Sequence, residues 1–268
     1  MPHSFYTEPG LHVEIYDVMT STDWAEAGTD VCFLREQFGN ISGPILELGC
    51  GTGRAAIPLA EAGFIVHGFD ASSDMLSVAR AKQQCLPASV AGRLFLTEGN
   101  MREFEFAVEF GGVYSTFRSF QVLLFPEDQE SCLRCIHRHM RSDGILVLDL
   151  FDPRYDLLLP GERTGVISSR AVTHPISGNT VQIEVLRRLN DALSQSFIET
   201  WQFTELGPDN ATVVRHEEET LRMRWTFRYE MRHLLRLCGF RILEEYSDFH
   251  KSPPSYGKEQ VWVAMKSH

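Results

Sequence analysis

The run Ile45–Ala60, ILELGCGTGRAAIPLA, constrains this chain more than any other stretch. A short apolar segment leads into three glycines at alternate positions, Gly49, Gly51 and Gly53, and then into an alanine-rich segment. That is a strand, a bare turn and a helix. A strand followed by a helix is half of a unit whose next strand lies parallel in the same sheet. Glycines in the turn let a bound molecule approach the main chain closely.

The same alternation recurs downstream. FIVHGFD (64–70) is a strand, and residues 72–83 a helix with Ser72 and Ser73 as cap candidates. RLFLTEG (93–99) and GGVYSTF (111–117) are two more strands. Residues 126–141 form a helix with Pro126, Glu127 and Asp128 in its first turn and Arg138 and Arg141 near its end, as the helix dipole favours. Asp143-Gly144 then turns the chain into ILVLDLF, a fifth strand. Residues 55–62 read as the helix after the glycine turn, stopped by Gly63. A further helix is expected over residues 22–38, with Trp24, Ala27, Val31, Leu34 and Phe38 inward. Apolar, non-alternating strands between helices mean a parallel sheet covered on both faces. Ligands then sit outside the carboxyl ends of the strands.

After Asp152-Pro153 the texture changes. From about Thr164 to Arg224, four strand-like runs are separated by turn clusters at 177–179, 190–191 and 207–210. Val181, Ile183 and Val185 alternate with polar residues, as do Phe197, Trp201 and Phe203. This is an antiparallel meander with one face buried, expected as an insert of residues 164–225 within a single domain of 268 residues. Residues 227–238 then form a helix with Phe227, Met231, Leu234 and Leu235 inward, and FRILEEYSDF and QVWVAMK are the last two strands.

Composition narrows the partners. The net charge of −11 argues against nucleic acid and against an anionic membrane surface. No apolar run approaches the ~18 residues of a membrane span, and no signal peptide is visible. The six cysteines lack the spacing of a disulfide framework, so a reduced, cytoplasmic protein is expected. Cys132, Cys135 and His139 share one helix face, but Leu133, Ile136 and Met140 repeat the same spacing beside them, and no fourth ligand is evident. A packed helix is the better reading, and no metal is expected.

The glycine turn is G-x-G-x-G, preceded by Glu47. It is neither the G-x-G-x-x-G of a dinucleotide site nor a P-loop, since no Gly-Lys-Ser/Thr follows. Asp70 ends the second strand about seventeen residues after Gly53, where a carboxylate can accept from both ribose hydroxyls. EGNMREF, residues 98–104, ends the third strand.

Together ILELGCGTGRAAIPLA, VHGFDASSDMLSVAR, EGNMREF and DGILVLDLF resemble the successive motifs of class I S-adenosylmethionine (SAM) dependent methyltransferases. The resemblance extends to the terminal helix and hairpin, where the last strand inserts antiparallel. It implies a Rossmann-like, seven-stranded doubly wound α/β sheet plus the inserted antiparallel meander. It implies SAM as cofactor, with Glu47, Gly49, Cys50, Gly51, Gly53 and Arg54 at the methionine end. Asp70 would bind the ribose, and Ala71 and Met75 also belong to the cofactor set. Asn100 and Met101 would flank the adenine, and Thr116 completes the set. The family often has Asp where Asn100 stands; Asn keeps an acceptor oxygen and loses the charge. The chemistry agrees: amides near residues 51–54 suit the cofactor's carboxylate, and Glu47 its ammonium.

In-line methyl transfer from a sulfonium needs chiefly alignment and exclusion of water. Residues for the acceptor are sought at the strand ends. STFRSFQVL supplies Phe117, Arg118, Ser119 and Gln121. Arg118 suits an anionic acceptor group, although a salt bridge to a neighbouring carboxylate explains it equally well. Asp152 is either a site acid or a turn residue. Tyr6, His12 and Tyr16 lie in the N-terminal segment, and Tyr16 is the lid candidate that the resemblance suggests. His250 lies in the loop between the last two strands, where a surface role competes with a site role. The catalytic candidates are therefore Tyr16, Arg118 and His250. His137, His139 and His233 read as helix residues, and Trp201 and Trp225 as packing.

The insert is similar to that of small-molecule methyltransferases acting on amino groups of nucleotide-linked sugars. It implies a small-molecule acceptor, an amine ahead of a hydroxyl, and leaves room for a homodimer. A SAM binder without transfer activity and an NAD-linked oxidoreductase are the rivals from other classes.

Overall fold

The computed structural model describes residues 3–4, 9–23 and 28–267. The chain opens with β1 (His3–Ser4), α1 (Leu11–Asp23), α2 (Thr29–Phe38), β2 (Ile45–Leu48), α3 (Ala56–Glu61) and β3 (Val66–Asp70). There follow α4 (Ser73–Gln84), α5 (Ala88–Ala91), β4 (Leu94–Glu98), β5 (Phe110–Ser115), a 3₁₀ turn (Ser119–Val122), α6 (Pro126–His139) and β6 (Met140–Phe151). Next come α7 (Tyr155–Leu158), β7 (Gly161–Thr173), β8 (Thr180–Asp191), β9 (Ser196–Leu206) and β10 (Val213–Arg224). The chain closes with α8 (Arg228–Leu237), β11 (Phe240–Tyr246) and β12 (Glu259–Lys266). Two compact units emerge: residues 28–154 with 224–268, and residues 1–27 with 155–223. No helix among the described residues is long and apolar enough to cross a membrane.

The larger unit is the expected doubly wound sheet. Its seven strands run in the order β11-β12-β6-β5-β2-β3-β4. β2 pairs parallel with β3 and β5, and β12 lies antiparallel to both β6 and β11. From β2 the chain moves outward to β3 and β4, then returns to place β5 on the other side of β2. The strand order therefore reverses between β2 and β5, and the crevice outside their carboxyl ends is where such sheets bind ligands. Alternation along the strands sorts the core into two faces. Leu46, Leu48, Leu148 and Trp262 pack with Leu133 and Ile136 of α6 and Met231 and Leu235 of α8. Ile45, Tyr114, Val147 and Val263 pack with Leu34 and Phe38 of α2 and Leu59 of α3.

Three expectations need correction. Residues 22–38 are not one helix: α1 ends at Asp23, and Gly28, at φ +89°, precedes α2. A left-handed residue cannot lie inside a right-handed helix, so the pattern of Val31, Leu34 and Phe38, all buried, belongs to α2 alone. Trp24 and Ala27 lie outside the described residues. α6 stops at His139 rather than Arg141, because Met140 turns extended and the strand begins there. Phe227 is not inward: it is 41% exposed, caps α8 from outside, and donates its N–H to Glu230 Oε2 at 3.1 Å. By contrast, Ser72 caps α4 as expected, accepting from the Met75 N–H at 3.3 Å.

The smaller unit is a sheet in the order β1-β10-β9-β8-β7, of which β7 to β9 form long antiparallel hairpins. Val181, Ile183, Val185, Phe197 and Phe203 are buried, as the alternation predicts, whereas Trp201 of the same pattern is only half-buried. Leu11, Ile15 and Met19 recur every four residues on one buried face of α1. The first turn of α1 is satisfied from the sheet: Leu11 donates its N–H to Glu217 Oε2 at 2.6 Å, and His12 Nδ1 meets Glu219 Oε1 at 2.7 Å.

Candidate active site

The glycine turn leaves β2 at the switch point. Gly49, Gly51 and Gly53 all have positive φ, at +76°, +51° and +80°. Gly49 has a second reason to be glycine: a Cβ there would stand 2.5 Å from Ser119 Cβ. The turn is braced by Asp70 at the end of β3. One carboxylate oxygen accepts from the Gly51 N–H at 2.7 Å and the other from the Ser72 N–H at 2.8 Å. Each oxygen keeps a lone pair for a ligand hydroxyl. Burial raises the Asp70 pKa against the pull of these amide bonds. The Gly51 amide, expected to face a carboxylate of the ligand, is thus committed to Asp70.

Glu47, the acid before the turn, is buried in β2. It sits in register with Tyr114 of β5, whose hydroxyl donates to Glu47 Oε2 at 2.9 Å. Burial pushes Glu47 up to about 8, although the Tyr114 hydrogen bond and the Arg54 charge both pull it down. Tyr114 itself is pushed well above its ordinary value by burial and by Glu47. Arg54 closes this end, with its guanidinium 2.5 Å from Asp30 Oδ2 and lying over the Phe117 ring at 4.9 Å. An acid that burial holds protonated ionises when a cation is brought beside it.

A cavity of about 260 Å³ opens between the ends of β3 and β4 and the segment after the 3₁₀ turn. Asp70, Ala71, Asn100 and Met101 line one side, and Val122 to Phe125 the other. Four of the sequence-predicted cofactor residues thus meet around one space. Asn100 Oδ1 is occupied from within, accepting from the Arg102 N–H at 3.0 Å and Arg102 Nε at 3.2 Å. Cys50, Met75 and Thr116 are buried and do not line this cavity. A second groove, about 600 Å³, runs along β11 and α8, but Arg232, Arg236 and Arg241 there mix with Glu244 and Glu245, and none of the expected residues line it.

The acceptor candidates separate. Arg118 pairs with Glu259 at 2.5 Å, and its backbone N–H points to Asp149 Oδ1 at 3.3 Å. Gln121 is fully buried, bridging the Phe151 N–H and the Arg224 carbonyl. Asp152 accepts from Gly257 N–H and Gln260 Nε2, both at 2.9 Å, which fastens the β6 exit to the last loop. His250 is exposed in that loop, its N–H on Asp248. Tyr16 lies half-buried on α1 in the smaller unit, and Tyr6 lies outside the described residues. Cys135 Sγ bonds the Phe104 backbone and His139 Nε2 accepts the Phe106 N–H at 3.2 Å, which ties α6 to the β4–β5 loop.

The sequence reading missed Asp30, Tyr114, Asp149 and Glu259. Asp149 did carry a signal, as a charge inside the apolar run ILVLDLF of a buried strand. Tyr114 could have been found as the register partner of Glu47. Asp30 and Glu259 carry no local mark.

A methyltransferase-domain family model matches residues 45–144, from the start of β2 to the middle of β6. The cypemycin N-terminal methyltransferase of a Streptomyces species is 27% identical over 263 residues, covering 98% of both chains. The dTDP-3-amino-3,6-dideoxy-alpha-D-glucopyranose N,N-dimethyltransferase of Streptomyces fradiae is 25% identical, covering 80% of this chain and 77% of that one. The crystal structure of Streptomyces venezuelae DesVI shares the fold, with a TM-score of 0.75 at 20% identity over 97% of this chain and 100% of that one. Residues 45–144 therefore carry a methyltransferase domain. The residues present fit the SAM that the sequence motifs imply: a cavity bounded by Asp70 suits a nucleoside, and the buried carboxyl of Glu47 suits an amino-acid ammonium.

Proposed function

We propose that this enzyme methylates an amine on a small molecule. The observation that carries the reading is the charge balance at the ends of β5, β6 and β12. Arg118, the cation there, is already bracketed by Asp149 and Glu259, so carboxylates are in excess. A site of that sign favours a cationic amine over an anionic acceptor. The names of the relatives point the same way, one an N-terminal methyltransferase and one an amino-sugar N,N-dimethyltransferase.

Bound SAM supplies a methyl group on a sulfonium. The chain's own work is binding and alignment: Asp70 for the ribose, Glu47 for the ammonium, and the glycine turn for close approach. An amine bound as its cation first gives up that proton, to solvent or to a nearby carboxylate, and the neutral nitrogen then attacks with its own lone pair. The test is transfer from methyl-deuterated SAM to pooled amines, amino sugars, hydroxy-acids and phenols, read by mass spectrometry. Label on nitrogen is expected. Label confined to oxygen overturns the amine reading and leaves SAM-dependent transfer intact.

A further inference from the structure

Phe117 and Arg118 leave β5 with φ of +59° and +65°. Both are bulky, neither is glycine, and they are adjacent. Left-handed backbone at such residues is costly and persists only where the surroundings over-determine it; it concentrates at functional sites. The surroundings here are specific. Asp149 Oδ1 accepts the Arg118 N–H, and Glu259 takes the Arg118 guanidinium, which also lies over the Phe151 ring at 5.5 Å. On the other side the Phe117 ring lies under Arg54 at 4.9 Å, and Ser119 fills the space that Gly49 leaves open. The turn is therefore held from β6 and β12 and pressed against the glycine turn.

We propose that Asp149 is a positioning residue for the cofactor: its carboxylate, with Glu259, holds the Phe117–Arg118 turn in the left-handed conformation that packs against the glycine turn. The proposal rests on SAM-dependent transfer and is independent of the acceptor. Its logic is cost. Asp149 is 1% exposed inside the otherwise apolar run of residues 145–151, and its Oδ2 accepts no hydrogen bond among the described residues. The other charges acting on it are Arg118, Glu259 and Asp30. Burial and the Glu259 charge raise its pKa, which marks the carboxylate as expensive to keep. An apolar residue would serve the sheet better, so the acid answers to the turn. Asn would keep an acceptor oxygen for the Arg118 N–H; Val would not.

The test compares Asp149→Val and Asp149→Asn, alone and in an Arg118→Gly/Glu259→Gln background. Glycine accepts a φ of +65° without side-chain strain, so the clamp becomes dispensable there. The readouts are the SAM dissociation constant by calorimetry and amide hydrogen exchange of residues 117–121. Asp149→Val should weaken SAM binding at least fivefold and expose those amides, while Asp149→Asn stays within about threefold of wild type. In the glycine background Asp149→Val should cost less than twofold. Unchanged SAM affinity and protection in Asp149→Val would overturn the proposal. So would an equal loss in both backgrounds, which would place the role of Asp149 elsewhere. If Asp149→Val alone does not fold, the glycine background must restore folding and SAM binding; failure there also overturns it. An amine acceptor that proves wrong changes none of these readouts.

Discussion

Tyr114 and Glu47 face each other across β5 and β2, the phenol donating to a carboxyl that burial keeps protonated up to about pH 8. With the SAM ammonium placed beside Glu47 as proposed, the pair would link SAM binding to protons. An ammonium beside Glu47 favours its ionised form, so SAM binding near neutral pH should release up to one proton from this site. Calorimetry in buffers of different ionisation enthalpy measures that release. Affinity should tighten as pH rises toward 8, and Glu47→Gln should remove both effects.

The same group gives an opposite sign for the stability of the free protein. Between its ordinary 4.5 and about 8, Glu47 holds a proton in the folded state that the unfolded chain has lost. Stability then falls as pH rises through that window. Thermal melts of wild type and Glu47→Gln without SAM should converge near pH 4.5 and diverge by pH 8, with the variant ahead. Parallel curves across the window would mean that Glu47 does not titrate as burial requires.

Asp70 does two jobs with one carboxylate. It braces the Gly51 and Ser72 amides and leaves lone pairs toward the cavity. Asp70→Ala removes the brace and, on the proposed placement of SAM, the ribose acceptor with it. A hydrogen bond to a charged group is worth about 1.5–3 kcal/mol, so SAM affinity should fall roughly 10- to 100-fold. Isothermal titration reads this directly, and unchanged affinity would remove Asp70 from the site.

The residues that sequence showed and those it hid differ by the range of their partners. The glycine turn, Asp70 and the strands around them are local patterns, and each appeared where expected. Residues 22–38 misled because Gly28 breaks two helices whose apolar spacing runs on across the break. Arg118 was visible as a cation, but its partner Glu259 stands 141 positions later and meets it only because β12 inserts beside β6. Asp30 reaches Arg54 through the placement of α2 on the sheet, which no motif records.

Arg224 is the buried charge on which the end of the larger unit depends. It is 4% exposed, pairs with Glu230 at 2.7 Å, and donates to Gln129 and Thr226. Arg224→Met removes the cation and leaves Gln129 and Thr226 short of a donor. Breaking a buried pair costs about 3–5 kcal/mol, reduced here because Glu230 is partly exposed, so about 3 kcal/mol is expected. Urea unfolding should show a lower midpoint with an unchanged slope.

Gly49 and Ser119 can be separated into strain and collision. Gly49→Ala meets two penalties at once: a left-handed φ of +76°, and a Cβ placed 2.5 Å from Ser119 Cβ and 2.7 Å from its Oγ. The first costs about 1 kcal/mol or more at an alanine. The second displaces the exit of β5, since Ser119 also bonds the Thr116 carbonyl at 3.0 Å. Ser119→Gly clears the collision and leaves the backbone cost. Gly49→Ala should therefore abolish detectable SAM binding or weaken it more than 100-fold, and adding Ser119→Gly should recover at least tenfold of the loss. A double variant no better than the single one would show that the conformation at Gly49, not its packing against Ser119, is what the turn requires.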